Sequence, residues 1–257
     1  MAFADDRLTP WLEGPERSAV LADFDGTLAP IVDDPTAATI MPGAEVTLAR
    51  LAARYARVAV ISGRPVAYLI DQLGSVAGLL LYGLYGLERA RGRSVEEVGE
   101  ATRWRPVVDS VAAAAEAEAP PGVGVERKGL AVTLHVRTAP EHAAWAAEWA
   151  ERAAGRTGLV AHPGRRSVEL RPPVDTDKGT VVAELAAGLD AVCFLGDDVG
   201  DLPAFATLTQ LGAGGVHTLA IAVASDESPP ELLVAADIVV DGPAGALALL
   251  EALAVST

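Results

Sequence analysis

Apolar residues fall along this chain in short unbroken runs, each closed by small, acidic or glycine-containing segments. Residues 19–23, 58–61, 79–82, 191–195, 218–223 and 238–240 are such runs. Continuous apolar stretches of this length read as strands buried on both faces, the signature of a parallel sheet. Between them the period lengthens to that of a helix. Residues 44–56 place Val46, Leu48, Leu51 and Ala52 on one side, and residues 66–73 form a shorter helix closed by Gly74. Further helices are expected at 177–187, 203–207 and 245–253. Strand, helix, strand at this spacing is βαβ logic.

The pattern changes after Glu88. Arg89, Arg91 and Arg93 surround Gly92, and residues 96–118 then read as a helix with Val107, Val108, Val111 and Ala115 as its apolar side. Pro120-Pro121-Gly122 stops it. Residues 123–127 and 130–137 follow as two strands around a hairpin turn at Lys128-Gly129. In the second, Leu130, Val132, Leu134 and Val136 alternate with Thr133, His135 and Arg137, so one face is buried and the other polar. A helix over 139–154 carries Trp145 and Trp149 one turn apart, and strands at 159–162 and 167–171 pair around 163–166. The order α-β-β-α-β-β describes a self-contained open-faced sandwich. The expected fold is therefore α/β, a Rossmann-like parallel core (1–94 and 172–257) with an inserted α+β domain (95–171).

The 257 residues are 51% hydrophobic, enough for a sizeable core, but only 5% aromatic, so that core is built of Ala, Val and Leu. Acidic residues outnumber basic ones 35 to 20, a net charge of −15. That excludes nucleic acid and anionic membrane as general partners, and positive charge for an anionic ligand must be concentrated locally. The single cysteine, Cys193, rules out an internal disulfide framework and fits a buried core position in a reducing compartment. The acidic start of the chain does not read as a signal peptide, and no apolar run spans a bilayer. A cytoplasmic monomer is the expectation. Of the 20 basic residues only Lys128 and Lys178 are lysines, which marks these two ammonium groups, since Arg and Lys are not interchangeable.

Candidate chemistry collects where the predicted core strands end. Val20-Leu21-Ala22-Asp23-Phe24-Asp25-Gly26-Thr27-Leu28 runs an apolar strand into two aspartates spaced i, i+2, which point the same way on a strand. Ser62 follows the second strand, Lys178 opens a helix, and Asp197, Asp198 and Asp201 follow the strand at 191–195. In this topology all converge on the carboxyl edge of the sheet, where open α/β sheets bind ligands. Paired carboxylates repel unless a hard cation justifies them. Carboxylates, an ammonium and a hydroxyl together suit Mg²⁺-assisted phosphoryl transfer, in which one or two carboxylates hold the cation. Lys and Ser donors suit the remaining phosphate oxygens, and a carboxylate can act as covalent nucleophile. A signalling receiver domain clusters similar groups, but needs neither a second aspartate for a leaving group nor such an insert.

Asp23-Phe24-Asp25-Gly26-Thr27-Leu28, Ser62, Lys178-Gly179 and Gly196-Asp197-Asp198 resemble, in order, the four motifs of the haloacid dehalogenase superfamily of aspartyl phosphatases. The insert resembles the larger cap of its sugar phosphatases. Over nearly its whole length the chain is most similar to the trehalose-6-phosphate phosphatase family. That likeness runs through Thr27-Leu28-Ala29-Pro30-Ile31 with Pro35, Ser62-Gly63-Arg64, Glu126 with Lys128-Gly129, His135 with Arg137, and Glu169 with Arg171-Pro172.

The resemblance implies Asp23 as nucleophile and Asp25 as acid and base, with Ser62 and Lys178 holding the phosphoryl group. It implies Mg²⁺ at Asp23, Asp25 (through its backbone carbonyl), Asp197 and Asp198, with Asp201 binding or orienting the metal shell. Arg64, Glu126, Lys128, Arg137 and Glu169 would bind a small sugar phosphate. Glu88, Glu169 and Arg171 lie near the hinges of the insert. Two departures bear on the sugar: the family's Gly-x-His-Gly is here Gly83-Leu84-Tyr85-Gly86, and Gly200 and Leu202 replace a Thr and a Glu of its last motif. Trehalose 6-phosphate is the expected substrate, with sucrose 6-phosphate or a pseudo-disaccharide phosphate such as validoxylamine phosphate as alternatives.

Overall fold

A computed structural model describes residues 5–32, 38–164, 166–226 and 228–255. Pro35 and, in the 163–166 turn, Arg165 lie outside the described residues. The chain forms two compact units, 1–96 with 176–257, and 97–175.

In the first unit, helix α1 (Thr9–Glu13) precedes strand β1 (Ser18–Ala22), α2 (Ala44–Arg54), β2 (Arg57–Ile61), α3 (Val66–Leu73) and β3 (Leu80–Gly83). A hairpin of β4 (Glu88–Arg91) and β5 (Ser94–Glu97) follows. The second unit contributes α4 (Gly99–Thr102), α5 (Arg105–Glu118), β6 (Gly124–Arg127), β7 (Val132–His135), α6 (Ala143–Thr157), β8 (Val160–Gly164) and β9 (Ser167–Arg171). The chain returns through α7 (Lys178–Ala186), β10 (Ala191–Gly196), α8 (Leu202–Ala213), β11 (His217–Ala224), α9 (Pro230–Ala235), β12 (Ile238–Asp241) and α10 (Gly242–Ala254).

The first unit is built on one eight-stranded sheet of order β12-β11-β10-β1-β2-β3-β4-β5. Its first six strands are mutually parallel, as their continuous apolar runs require. Both faces are covered. Leu48, Leu51, Leu69, Leu249 and Leu250 pack on one, and Val181, Val182, Leu185, Phe205 and Leu208 on the other. Because β1 lies between β10 and β2, the loops leaving these three strands are neighbours at the carboxyl edge.

Three expectations are corrected here. The sheet is not wholly parallel: β4 pairs antiparallel with β3, so strands occupy 88–97 where the sequence suggests the lead-in to a helix. Only Glu88 and Ala90 of β4 point inward, and β5 is largely exposed. Such strands lack the apolar run that marks the others. The helix expected over 96–118 is accordingly two pieces, α4 and α5, with Pro106 in the first turn of α5. Helix α8 also runs six residues past the expected end at 207, held by Leu208 against the sheet.

In the second unit β6-β7-β9-β8 form an antiparallel sheet, with the β6–β7 hairpin turning at Lys128-Gly129. Helices α5 and α6 cover one face, burying Val132, Leu134 and Leu170 against Val108, Ala112, Ala146 and Trp149. The period-2 alternation leaves Thr133, His135, Glu169 and Arg171 on the other face. No described helix is long and apolar enough to cross a membrane.

Candidate active site

Asp23 is the first residue beyond β1, and its N–H still donates to Leu195 O on β10 (2.8 Å), so strand pairing fixes its backbone. Its carboxylate is buried and meets Lys178 Nζ at 2.7 Å. Lys178 is the first residue of α7, which is anchored by a capping box in which Asp177 accepts from Thr180 N and Thr180 reaches back. Its ammonium also pairs with Asp201 Oδ1 at 2.6 Å. The other oxygen of Asp201 accepts the N–H groups of Asp197 and Asp198 (2.9 and 3.1 Å). Asp201 is fully buried with both oxygens engaged, so it organises the loop after β10 while Asp197 presents its carboxylate.

Among the described residues, Asp23, Asp197 and Asp201 form a buried trio whose ligand atoms all lie within 4.8 Å of one another. These are hard oxygen donors, the set a hard divalent cation takes. Asp201 is committed to Lys178 and the backbone, which leaves Asp23 and Asp197 as the two carboxylates for an ion. The loop of Gly26 closes on them. With φ of 77° and no Cβ it comes so near that a Cβ there would lie 2.0 Å from Asp197 Oδ2. Asp198, expected among the metal residues, lies outside this trio. It is exposed, and its side chain caps the short turn at 199–201 by accepting from Gly200 N at 2.8 Å.

The electrostatics are those of an acid-rich pocket short of positive charge. Burial works against the Lys178 ammonium, yet Asp201, Asp23 and Asp198, with a smaller contribution from the Tyr85 phenol, hold its pKa well above the usual value. Burial pushes Asp23 well above the carboxylate range, with Lys178 pulling it back. Burial, then the charges of Asp23 and Asp201, push Asp197 up to about 10.

The other expected residues fall into two groups. Ser62, just beyond β2, is buried, and its hydroxyl accepts from Arg64 N at 3.1 Å. Asp25 turns its carboxylate to Arg64, which holds it in a bidentate fork with both bonds at 2.7 Å. Arg64 in turn lies 4.6 Å over the Tyr68 ring. Glu88 is buried and accepts from Val66 N (2.8 Å) at the start of α3, a structural task that its place beside Arg89 in the sequence does not reveal. In the second unit, Lys128 Nζ meets Glu169 Oε2 at 2.8 Å, and Thr133 donates to the same oxygen. Lys128 also lies 3.8 Å from Glu126, whose Oε2 bonds His135 Nε2 at 2.8 Å. Arg171 lies 3.5 Å from Glu169 Oε1. Arg137, half-exposed, follows two residues after β7. His135 and Thr133 thus join the cluster; the period-2 alternation of this strand was their signal.

The profile of the Trehalose-phosphatase family matches residues 21–237. The chain belongs to the trehalose-phosphatase family. It is 38% identical over 247 residues to a trehalose-phosphate phosphatase of Mycolicibacterium paratuberculosis, covering 92% of this chain and 62% of that protein. The chain thus spans about three fifths of the length of the curated relatives it matches. Among solved structures, Aspergillus fumigatus trehalose-6-phosphate phosphatase superposes with a TM-score of 0.68 at 28% identity, over 100% of this chain and 99% of the other. The C-terminal domain of Candida albicans trehalose-6-phosphate phosphatase shares the fold, with a TM-score of 0.77 at 23% identity over 99% and 98% of the two chains. The expected α/β core, a largely parallel sheet covered by helices, is therefore borne out.

The raised pKa of Asp197 has a consequence for stability. Between the ordinary carboxylate range and about pH 10, the folded metal-free protein binds a proton that the unfolded chain lacks. Its stabilising effect is therefore complete at the acid end and is lost as pH rises through this window. A cation entering the site must displace that proton. Asp197→Asn is expected to raise the Tm of the metal-free protein at about pH 8 and to abolish any rise caused by added Mg²⁺. Scanning calorimetry with and without the ion checks both.

Proposed function

We propose that this chain hydrolyses trehalose 6-phosphate to trehalose and inorganic phosphate in the cytoplasm, with Mg²⁺ as its cation. The observation that carries this reading is the buried Lys178 ammonium bridging Asp23 and Asp201 beside Asp197. Such a pocket holds one carboxylate fixed at a strand end, with a cation site and a phosphate donor alongside. Family membership and the named relatives support the sugar.

Asp23 and Asp197 would hold Mg²⁺, with Asp25 contributing its backbone carbonyl and Asp198 lying at the edge of that site. Bound there, the ion would supply positive charge that keeps these carboxylates ionised and offsets charge growing on the phosphoryl oxygens. Ser62 and Lys178 donate to those oxygens and orient phosphorus toward Asp23. The Asp23 carboxylate attacks phosphorus, the bond from phosphorus to the sugar oxygen breaks, and that oxygen takes a proton from Asp25. Water then attacks the aspartyl-phosphate, giving its proton to Asp25, and inorganic phosphate leaves. Asp25 has both oxygens on Arg64 in the geometry described, so its acid role requires it to leave that fork. Arg64 is then available to the substrate phosphate.

The inserted unit serves as the specificity cap in this reading. Its polar sheet face brings Glu126, Lys128 and Glu169 into one charged cluster. Alternating carboxylates and ammonium groups suit the hydroxyls of a neutral disaccharide, and Arg137 adds a further donor.

Two outcomes are expected. Asp23→Asn abolishes phosphate release, and acid-quenched wild-type protein carries a phosphoryl group on the peptide containing Asp23. Full activity in the variant would sink the covalent mechanism. Lys128→Ala lowers kcat/KM for trehalose 6-phosphate by roughly tenfold or more, the scale of one or more lost charged hydrogen bonds, and lowers it far less for an aryl phosphate. Equal losses on the two substrates would remove the cap from sugar recognition.

A further inference from the structure

Between β3 and β4 the chain makes a single tight turn over Leu84–Gly86. Leu84 and Tyr85 both adopt left-handed backbone, with φ of 49° and 58°. Neither is Gly, Asn or Asp, so each is strained in this conformation. The strain persists because neighbours over-determine the turn. Leu84 N–H donates to Arg64 O (2.9 Å), Tyr85 N–H to Ser62 O (3.0 Å), and Thr176 Oγ1 to Tyr85 O (3.0 Å). Strain held this way gathers at functional sites, and its effect here is to aim one side chain.

That side chain crosses the candidate active site. A Cβ built on Gly63 would lie 2.8 Å from the Tyr85 hydroxyl and from Cζ, so the phenol end rests on the backbone beside Ser62. A Cβ built on Gly200 would lie 3.6 Å from Tyr85 Cε1 and 3.0 Å from Asp198 Oδ1. The ring therefore reaches from the loop after β2 to the loop after β10, the two loops that flank Asp23 at the end of β1. It remains half-exposed. Tyr85 is close enough to act on the Lys178 ammonium, after burial, which opposes its charge, and the three aspartates, which hold it.

We propose that Tyr85 touches the substrate: its ring forms one wall of the phosphate site, and its hydroxyl donates a hydrogen bond to a phosphoryl oxygen. It joins Ser62 and Lys178 as a third donor, the neutral partner on the open side of the pocket. A neutral O–H adds a directed hydrogen bond without a charge for the acids to neutralise. This inference rests on the phosphatase reading.

The test compares wild type with Tyr85→Phe, which keeps the ring and the backbone turn and removes the donor alone. With Mg²⁺ present, tungstate serves as a phosphate-shaped probe in titration calorimetry, and kcat/KM is read on trehalose 6-phosphate and on an aryl phosphate. The expected result is a loss of about tenfold in tungstate affinity and in kcat/KM for both substrates, at unchanged Tm. Unchanged tungstate affinity overturns the proposal, because a residue serving only the fold would leave it so. A loss confined to trehalose 6-phosphate also overturns it, placing the hydroxyl on the sugar. If wild type turns over no phosphate monoester, the phosphatase reading fails, while the tungstate comparison still decides the role of Tyr85.

Discussion

A single ammonium, Lys178, keeps the carboxyl edge of this sheet from repelling itself apart. It sits 2.7 Å from Asp23 and 2.6 Å from Asp201, almost wholly out of water. Removing one partner of a buried charge pair costs on the order of 3–5 kcal/mol, because the remaining charge has nowhere to go. Here one ammonium serves two carboxylates, and Asp197 beside them keeps its proton for want of further positive charge. A divalent cation entering the site would displace that proton. The acidity that makes the bare site unfavourable is what a divalent cation would balance.

Strand pairing and side-chain caps on the backbone place this cluster. Parallel pairing of β1 with β10 fixes Asp23, and the capping box at Asp177 fixes the start of α7. Asp201 ties the two N–H groups after β10, and Gly26 lets the loop after β1 close over Asp197. No long flexible segment carries a member of the cluster, as preorganised electrostatics require. Asp25 is the exception. Its carboxylate is half-exposed and clasped by Arg64, so the group proposed to exchange protons is the one with access to water.

Much of this was legible in the sequence because parallel strands announce themselves. Unbroken apolar runs gave β1, β2, β3, β10 and β11 almost to the residue, and chemistry at their carboxyl ends followed from topology. The period-2 alternation of β7 likewise placed Thr133 and His135 on the polar face. Illegible elements were those whose burial is sparse: β4 and β5 at the sheet edge, and α9, which buries Leu232 alone. Which of Asp198 and Asp201 turns inward could not be read either. That depends on a turn in which Asp198 caps outward and the residue three positions on swings under it. Tyr85 was visible only as a departure from a family pattern, since a left-handed backbone at Leu84-Tyr85 leaves no mark on residue type.

The polar face around Glu126, Lys128 and Glu169 is suited to sugar hydroxyls, and the order of preference among sugars tests it. The most direct measurement is kcat/KM for phosphate release with Mg²⁺ across trehalose 6-phosphate, sucrose 6-phosphate, a pseudo-disaccharide phosphate, glucose 6-phosphate and an aryl phosphate. The account predicts trehalose 6-phosphate ahead of every other substrate by about a hundredfold or more, the scale of two or so lost charged hydrogen bonds. Equal rates on the aryl phosphate, or a clear preference for another sugar, would contradict it.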